Sequence, residues 1–285
     1  MIYTYHYFQI DFLLIIFILS SVRFIEKELD MKIQKQLLQQ IKKTSLLLFK
    51  AWGLYLIITG LVIGIGRIRF NIPVWYLTKD PNALIEGGDF YFGALSNLGI
   101  ILWTIAATLC FFSTIYLKRY SPNSSFRLFL LHGGILTTLL LLDDLYMWHE
   151  VMFPVYFGIN TYLVYGSYLI YALYFVIRFR TTILKTEYLV LLASIFLIAL
   201  SVLVDIVHDS QILDATLLNL TGLRPDLLGE LAVLLEETSK GLGILTWLIY
   251  FSRVLFINVL PAVKHVDIET LKRKPISTPV SQEIG

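Results

Sequence analysis

Apolar residues run almost unbroken for about twenty positions at a time along this chain, and short polar stretches punctuate them. Because about twenty apolar residues in a helix cross roughly 30 Å of hydrocarbon, the pattern predicts six membrane spans, at 45–66, 92–117, 127–148, 154–177, 186–207 and 228–257. A seventh apolar run, 8–24, is shorter and carries Asp11. Residues 1–30 are read either as an N-terminal signal-anchor helix or as the product of an upstream start codon, since Met31-Lys-Ile-Gln-Lys reads like a natural amino terminus. The predicted fold class is all-α, a polytopic transmembrane helix bundle over 31–262. It is followed by a polar, Pro- and Ser-containing tail, 263–285, expected to be disordered and cytoplasmic.

Composition agrees with the pattern. Hydrophobic residues make up 57% and charged residues only 15% of the 285 positions, with a mean hydropathy of +0.72, whereas soluble domains carry about 25% charged residues. That excludes an ordinary soluble domain. The net charge of +2 is uninformative, because the charges are segregated along the chain. Lysines and arginines gather at Lys32–Lys43, at Lys118, Arg119 and Arg127, at Arg178, Arg180 and Lys185, and from Arg253 to Lys274. With six spans all four clusters fall on one side, which the positive-inside rule makes the cytoplasm. The expected location is the plasma membrane, with the carboxyl terminus inside.

The acidic residues and histidines then draw attention, because they sit within or at the ends of the spans. An Asp at the centre of a span costs roughly 2.5–3.5 kcal/mol on insertion scales, so such residues pair, bind an ion or line a polar cavity. In the LLLLDDLYMWHE segment, Asp143, Asp144, His149 and Glu150 close the third span. In SVLVDIVHD, Ser201, Asp205 and His208 share a helical face, with Asp209 beside it. In LLEETSKGLG, Lys240 follows Glu236 by four residues and Glu237 by three, an intrahelical pairing that leaves Glu237 as the candidate general base. The first two groups close their spans at the outer end and the third lies in the outer half of the last span, so all three can converge at one depth. On a regular helix His149 would point more than 100° away from Asp143, so the two can meet only if the helix ends or bends near Trp148, which Pro154 favours.

Two further features have an ordinary structural reading. Tyr162, Tyr165, Tyr168, Tyr171 and Tyr174 recur every third residue and read as an aromatic packing stripe. His132 has no acidic partner within helical reach.

The string DDLYMWHE, with the later carboxylate pair and K-G-L-G-I-L-T-W, resembles an uncharacterised family of prokaryotic multi-pass membrane proteins over most of the chain. Two narrower similarities are present. EETSK is similar, over five residues, to the E-E-x-x-K motif of PrsW-like intramembrane proteases, implying a catalytic Glu237 and Lys240. Ser, Asp and His residues at the ends of about seven helices resemble the alkaline-ceramidase/progestin-receptor superfamily of membrane zinc hydrolases. That likeness implies a metal site, although the superfamily's H-x-x-x-H pair has no counterpart in the last helix here.

The expected function is a metal-assisted membrane hydrolase acting on a lipid or membrane-inserted substrate. Asp143, Asp144, His149, Asp205 and His208 would hold a divalent metal such as zinc, and Glu237 with Lys240 would be catalytic. The alternatives are a proton- or cation-coupled transporter or channel, in which the same acids form a relay, and a non-enzymatic membrane scaffold. The orientation is testable directly. Cysteines introduced at Asn82 or Asn219 should react with an impermeant thiol reagent added outside the cell, and one at Asn123 should not; outside labelling at 123 would reverse the sides.

Overall fold

The computed structural model of the protein describes the backbone of residues 31–78, 91, 93–121, 124–209 and 225–261, and the side chains of these except 31–37, 75, 208–209 and 225–226. The 8–24 run, the tail and the side chain of His208 lie outside the described residues. Two compact units are distinguished, Met1–Leu47 and Leu48–Gly285. The described part of the first is helical, and Thr44 donates from its hydroxyl to the Gln40 carbonyl one turn back.

The described residues are helical apart from short connections. In order they form α1 (Met31–Phe70), α2 (Val74–Thr78), α3 (Ala94–Tyr120), α4 (Ser125–Tyr146), a π-helix (Trp148–Tyr156), α5 (Thr161–Arg178), α6 (Arg180–Ile183), α7 (Tyr188–Asp209), α8 (Pro225–Arg253) and a second π-helix (Val254–Val259). Ser124 and Asn160 cap α4 and α5, each side-chain oxygen accepting from the backbone N–H two residues on, at 3.3 and 2.9 Å.

Among the described residues, five helical segments are long and apolar enough to cross a membrane: Leu38–Phe70, Ala94–Tyr120, Ser125–Tyr146, Tyr188–Val207 and Leu227–Val259. The span expected at 154–177 is not among them. It is not one helix: the π-helix stops at Tyr156, Gly158 takes a left-handed φ of 65°, and α5 begins only at Thr161. The five tyrosines of α5 also dilute its apolar character.

Within the second unit, α8 packs against α7 and α3, and α3 against α4. Small residues set the spacing. A Cβ at Gly243 would stand 2.7 Å from Ile198 Cγ1 and 3.0 Å from the Ile198 backbone nitrogen, while the Ser194 hydroxyl donates to the Gly243 carbonyl at 2.8 Å. A Cβ at Gly241 would overlap the Tyr55 hydroxyl. Gly133 faces the Phe251 ring at 2.8 Å from its absent Cβ. In a bilayer, where apolar surface gains little by leaving lipid, such close backbone approach is a main source of helix association.

The largest core gathers around Phe129, which is fully buried and has the rings of Phe175, Phe179, Tyr250 and Phe251 within 5.2 to 6.4 Å. Near it, Arg253 at the end of α8 grips Glu187 through two guanidinium nitrogens, the Nη2 contact at 2.6 Å. Asp143 and Asp144 lie at the opposite end of α4 from this aromatic core.

Close packing of α7 on α8 gives a stability test. Gly243→Ala should lower the melting temperature in detergent by the equivalent of about 1–3 kcal/mol, the usual cost of overpacking. Gly166→Ala, whose added methyl meets nothing within 4 Å, should not destabilise. Equal melting of Gly243→Ala and the unmodified protein would contradict the packing.

Candidate functional site

The site begins where α4 ends. Met147 adopts φ 51° and ψ 47°, a left-handed conformation that few non-glycine residues take, and a nine-residue π-helix follows. Both features recur at functional positions. The turn swings His149 back over the last turn of α4. The His149 backbone N–H donates to Asp143 Oδ1 at 3.1 Å, and His149 Nδ1 lies 2.7 Å from Asp143 Oδ2. Asp143 and His149 therefore meet as the sequence requires for a shared site. The break falls at Met147, however, and Pro154 sits inside the π-helix.

Asp143 is 6% exposed and accepts a third hydrogen bond, from the Tyr168 hydroxyl at 3.0 Å. A buried carboxylate is tolerable only when its lone pairs are met in this way. On the far side of the imidazole, Nε2 faces Glu150 Oε1 at 3.4 Å, and the ring lies over Tyr165 with centroids 4.7 Å apart and planes 33° apart. Burial alone would lower the His149 pKa, but the hydrogen bonds and charges of Asp143 and Glu150 outweigh it and push the value up to about 10. Glu150 is held below the usual carboxylate range, first by its hydrogen bond to His149. At neutral pH the imidazole is thus a cation and a proton donor.

A second cluster forms around Lys240, which reaches across from α8 to Asp144 on α4. Its Nζ stands 3.3 Å from Asp144 Oδ1 and 3.9 Å from Glu237 Oε1. Trp103 of α3 donates its indole N–H to Asp144 Oδ2 at 2.8 Å and packs edge-on against Trp247, which in turn donates to Thr137. The intrahelical pairing expected for Lys240 thus extends to a neighbouring helix. Half-buried Glu236 lies within electrostatic reach of Glu237, Asp205, Lys240 and Glu150. Asp205 accepts from the Tyr165 hydroxyl at 3.1 Å.

Of the residues expected at the site, Asp143 and His149 form one cluster and Asp144, Glu237 and Lys240 the other. Asp205 joins the first through Tyr165. The side chain of His208 lies outside the described residues. Among the described residues no three His, Cys, Asp or Glu side chains are grouped to hold one metal ion; Asp143 and Asp144 bind protein donors instead. Tyr165, Tyr168 and Trp103 are site residues that sequence reasoning did not find. The tyrosine stripe did carry a signal. Three residues advance a helix by about 300°, so the rings fan across α5 and their hydroxyls reach different neighbours: Tyr165 to Asp205, Tyr168 to Asp143, and Tyr171 to His132 Nδ1 at 3.0 Å.

The Lys240 bridge should show itself in stability. Lys240→Met removes the cation beside Asp144 and Glu237 and, the pair being half-buried, should cost about 1–3 kcal/mol, the usual loss when a charged group loses a partner. Adding Asp144→Asn should recover a substantial part. Additive losses in a double-mutant cycle of thermal melts would show that the two do not interact.

No curated protein and no solved structure is significantly similar to this chain. One family model, described as a domain of unknown function (DUF8692), matches residues 54–254. That stretch runs from within α1 almost to the end of α8 and includes every residue of both clusters, and the chain belongs to this family.

Proposed function

We propose that the protein is a membrane-embedded hydrolase acting on a lipid or membrane-inserted substrate from the outer face of the plasma membrane, with its carboxyl terminus in the cytoplasm. The observation that carries this reading is the Asp143–His149 pair, an imidazole oriented by a buried carboxylate across 2.7 Å and lying tilted over Tyr165. Orientation of a histidine by a carboxylate is how acid–base sites hold a ring in its working geometry. In this scheme Nε2, loosely met by Glu150 at 3.4 Å, donates a proton to the leaving group. Glu237, beside Lys240 at 3.9 Å, takes one from the attacking water. Lys240 steadies negative charge that develops between them.

The metal-assisted form of the reading would add a divalent ion such as zinc at Asp143, Asp144, His149, Asp205 and His208. It requires those carboxylates to exchange their present donors for the metal. A proton-coupled transporter is the second reading, favoured by the sequence of phenol contacts along α5 that ends at His132.

One pair of assays on reconstituted protein decides among these. Vesicles containing ester-, amide- and phosphodiester-linked lipids should show turnover that falls at least about a hundredfold in Glu237→Gln and His149→Gln, the ordinary contribution of a positioned acid or base. A pH-sensitive dye trapped in the same vesicles should report no flux. Flux without turnover would overturn the hydrolase reading in favour of the transporter. Elemental analysis separates the two hydrolase forms: about one zinc per chain, lost in His208→Ala, marks the metal-assisted one.

A further inference from the structure

A cleft of about 440 Å³ opens beside the site, between α4, the first π-helix and α5. Its walls are almost entirely apolar, formed by Leu139, Trp148, Phe153, Leu163, Tyr168 and Tyr171 among others. Apart from the Trp148 indole N–H, the polar side-chain groups in the wall are met from within the protein. Ser167 donates to the Val164 carbonyl at 2.7 Å, Tyr168 to Asp143, and Tyr171 meets His132. The volume falls within the roughly 300–1,000 Å³ usual for a small-molecule site, yet the cleft offers a ligand shape and hydrocarbon contact more than hydrogen bonds.

Two further observations identify the occupant. The cleft is continuous with a belt of outward apolar side chains on the same elements: Val155, Leu163 and Ile170 are each about two-thirds exposed, and Phe157 and Leu169 are also exposed. Among the described residues five helices are of membrane length; α5 and the π-helix are not among them, but an exposed apolar belt packed beside such helices suits contact with acyl chains, and an apolar cleft opening through it is open to the same phase. At its other end the cleft touches the chemistry. Trp148 precedes His149 in sequence, and Tyr168 both lines the wall and donates to Asp143 at 3.0 Å.

We propose that this cleft seats one acyl chain of a membrane lipid, laid between α4, the π-helix and α5 so that the lipid's polar end reaches the Asp143–His149 pair. The inference deepens the hydrolase reading and rests on it for the role of the polar end, since it makes the substrate a chain-bearing lipid held by its tail. The tail would be recognised by fit along the aromatic wall, and the head would be presented to His149.

Trp148 supplies a probe. In detergent, the full chain is titrated with a lysophosphatidylcholine whose single acyl chain is brominated, and tryptophan fluorescence is followed. A component of the quenching should saturate at about one lipid per chain, and that saturable component, as distinct from any quenching of the other four tryptophans, should be absent in Trp148→Phe and should vanish in Ser167→Phe, which fills the cleft. Ile159→Trp, at the more exposed edge of the wall, is the second filling variant if Ser167→Phe does not fold; because its new indole itself fluoresces, it is scored by native mass spectrometry of retained lipid. Quenching that rises only with bulk detergent-to-lipid ratio and ignores both filling variants would overturn the proposal. So would a dimer broken by the filling variants with no saturable lipid binding, since a second copy of the chain would then occupy the cleft. Binding and catalysis fail separately: saturable binding without turnover retains the tail site and removes the hydrolase reading, whereas turnover unaffected by filling the cleft does the opposite.

Discussion

A buried carboxylate with three donors is the constraint on which the rest of this site depends. Asp143 sits near the end of a membrane-length helix, 6% exposed, where an unmet charge would be intolerable. The protein meets it by ending α4 abruptly at Met147 and turning the following residues back, so that the backbone N–H and ring of His149 both face the carboxylate and Tyr168 of α5 closes the third side. A regular helix could supply neither contact. The strained residue and the π-helix after it are thus explained together, as the local backbone that a buried Asp–His pair at this position demands.

The second cluster solves the same problem with a cation. Lys240 comes from the middle of α8 and lies against Asp144 and Glu237, with the Trp103 indole completing the shell. Two neighbouring aspartates on one helix are thereby served by different helices. Asp143 looks to the π-helix and α5, and Asp144 to α3 and α8. Such divergence ties four elements to one turn of α4. It also places a protonated imidazole, an ammonium and several carboxylates at one end of the bundle, opposite the aromatic core around Phe129. Neutralisation of Asp143 and Asp144 alone would not call for Glu150, Glu236 and Glu237 as well, and it is on that surplus of ionisable groups that the proposed function draws.

Much of this was legible in the sequence, and the exceptions have physical causes. Apolar run length located α1, α3, α4, α7 and α8, because crossing a bilayer imposes a length that composition cannot disguise. At 154–177 it runs across a backbone break at Gly158, and the tyrosine-rich helix that follows, Thr161–Arg178, is not among the five membrane-length segments. The carboxylates and His149 stood out because charge within a span is costly. Their pairing did not, since periodicity assumes a regular helix and Met147 violates it; only the angular mismatch between 143 and 149 hinted at a break. Trp103 left no trace, because an indole in an apolar run reads as packing whether or not its N–H meets an aspartate. The tyrosines of α5 were visible as a stripe, but their partners lie on other helices, and interhelical contacts are set by packing that small residues such as Gly243 permit and no local pattern specifies.

The central claim is that the chain doubles back at Met147 to hold His149 on Asp143. Dipolar recoupling between the His149 imidazole nitrogens and the Asp143 carboxyl carbon tests it directly, in isotope-labelled protein in lipid bilayers, with the resonances identified by their loss in His149→Gln and Asp143→Asn. A hydrogen bond of 2.7 Å predicts a strong cross-peak from Nδ1 and a weaker one from Nε2. Absence of any cross-peak, with helical shifts continuing through Met147, would mean that α4 runs on regularly, that the two side chains point apart, and that this site does not exist.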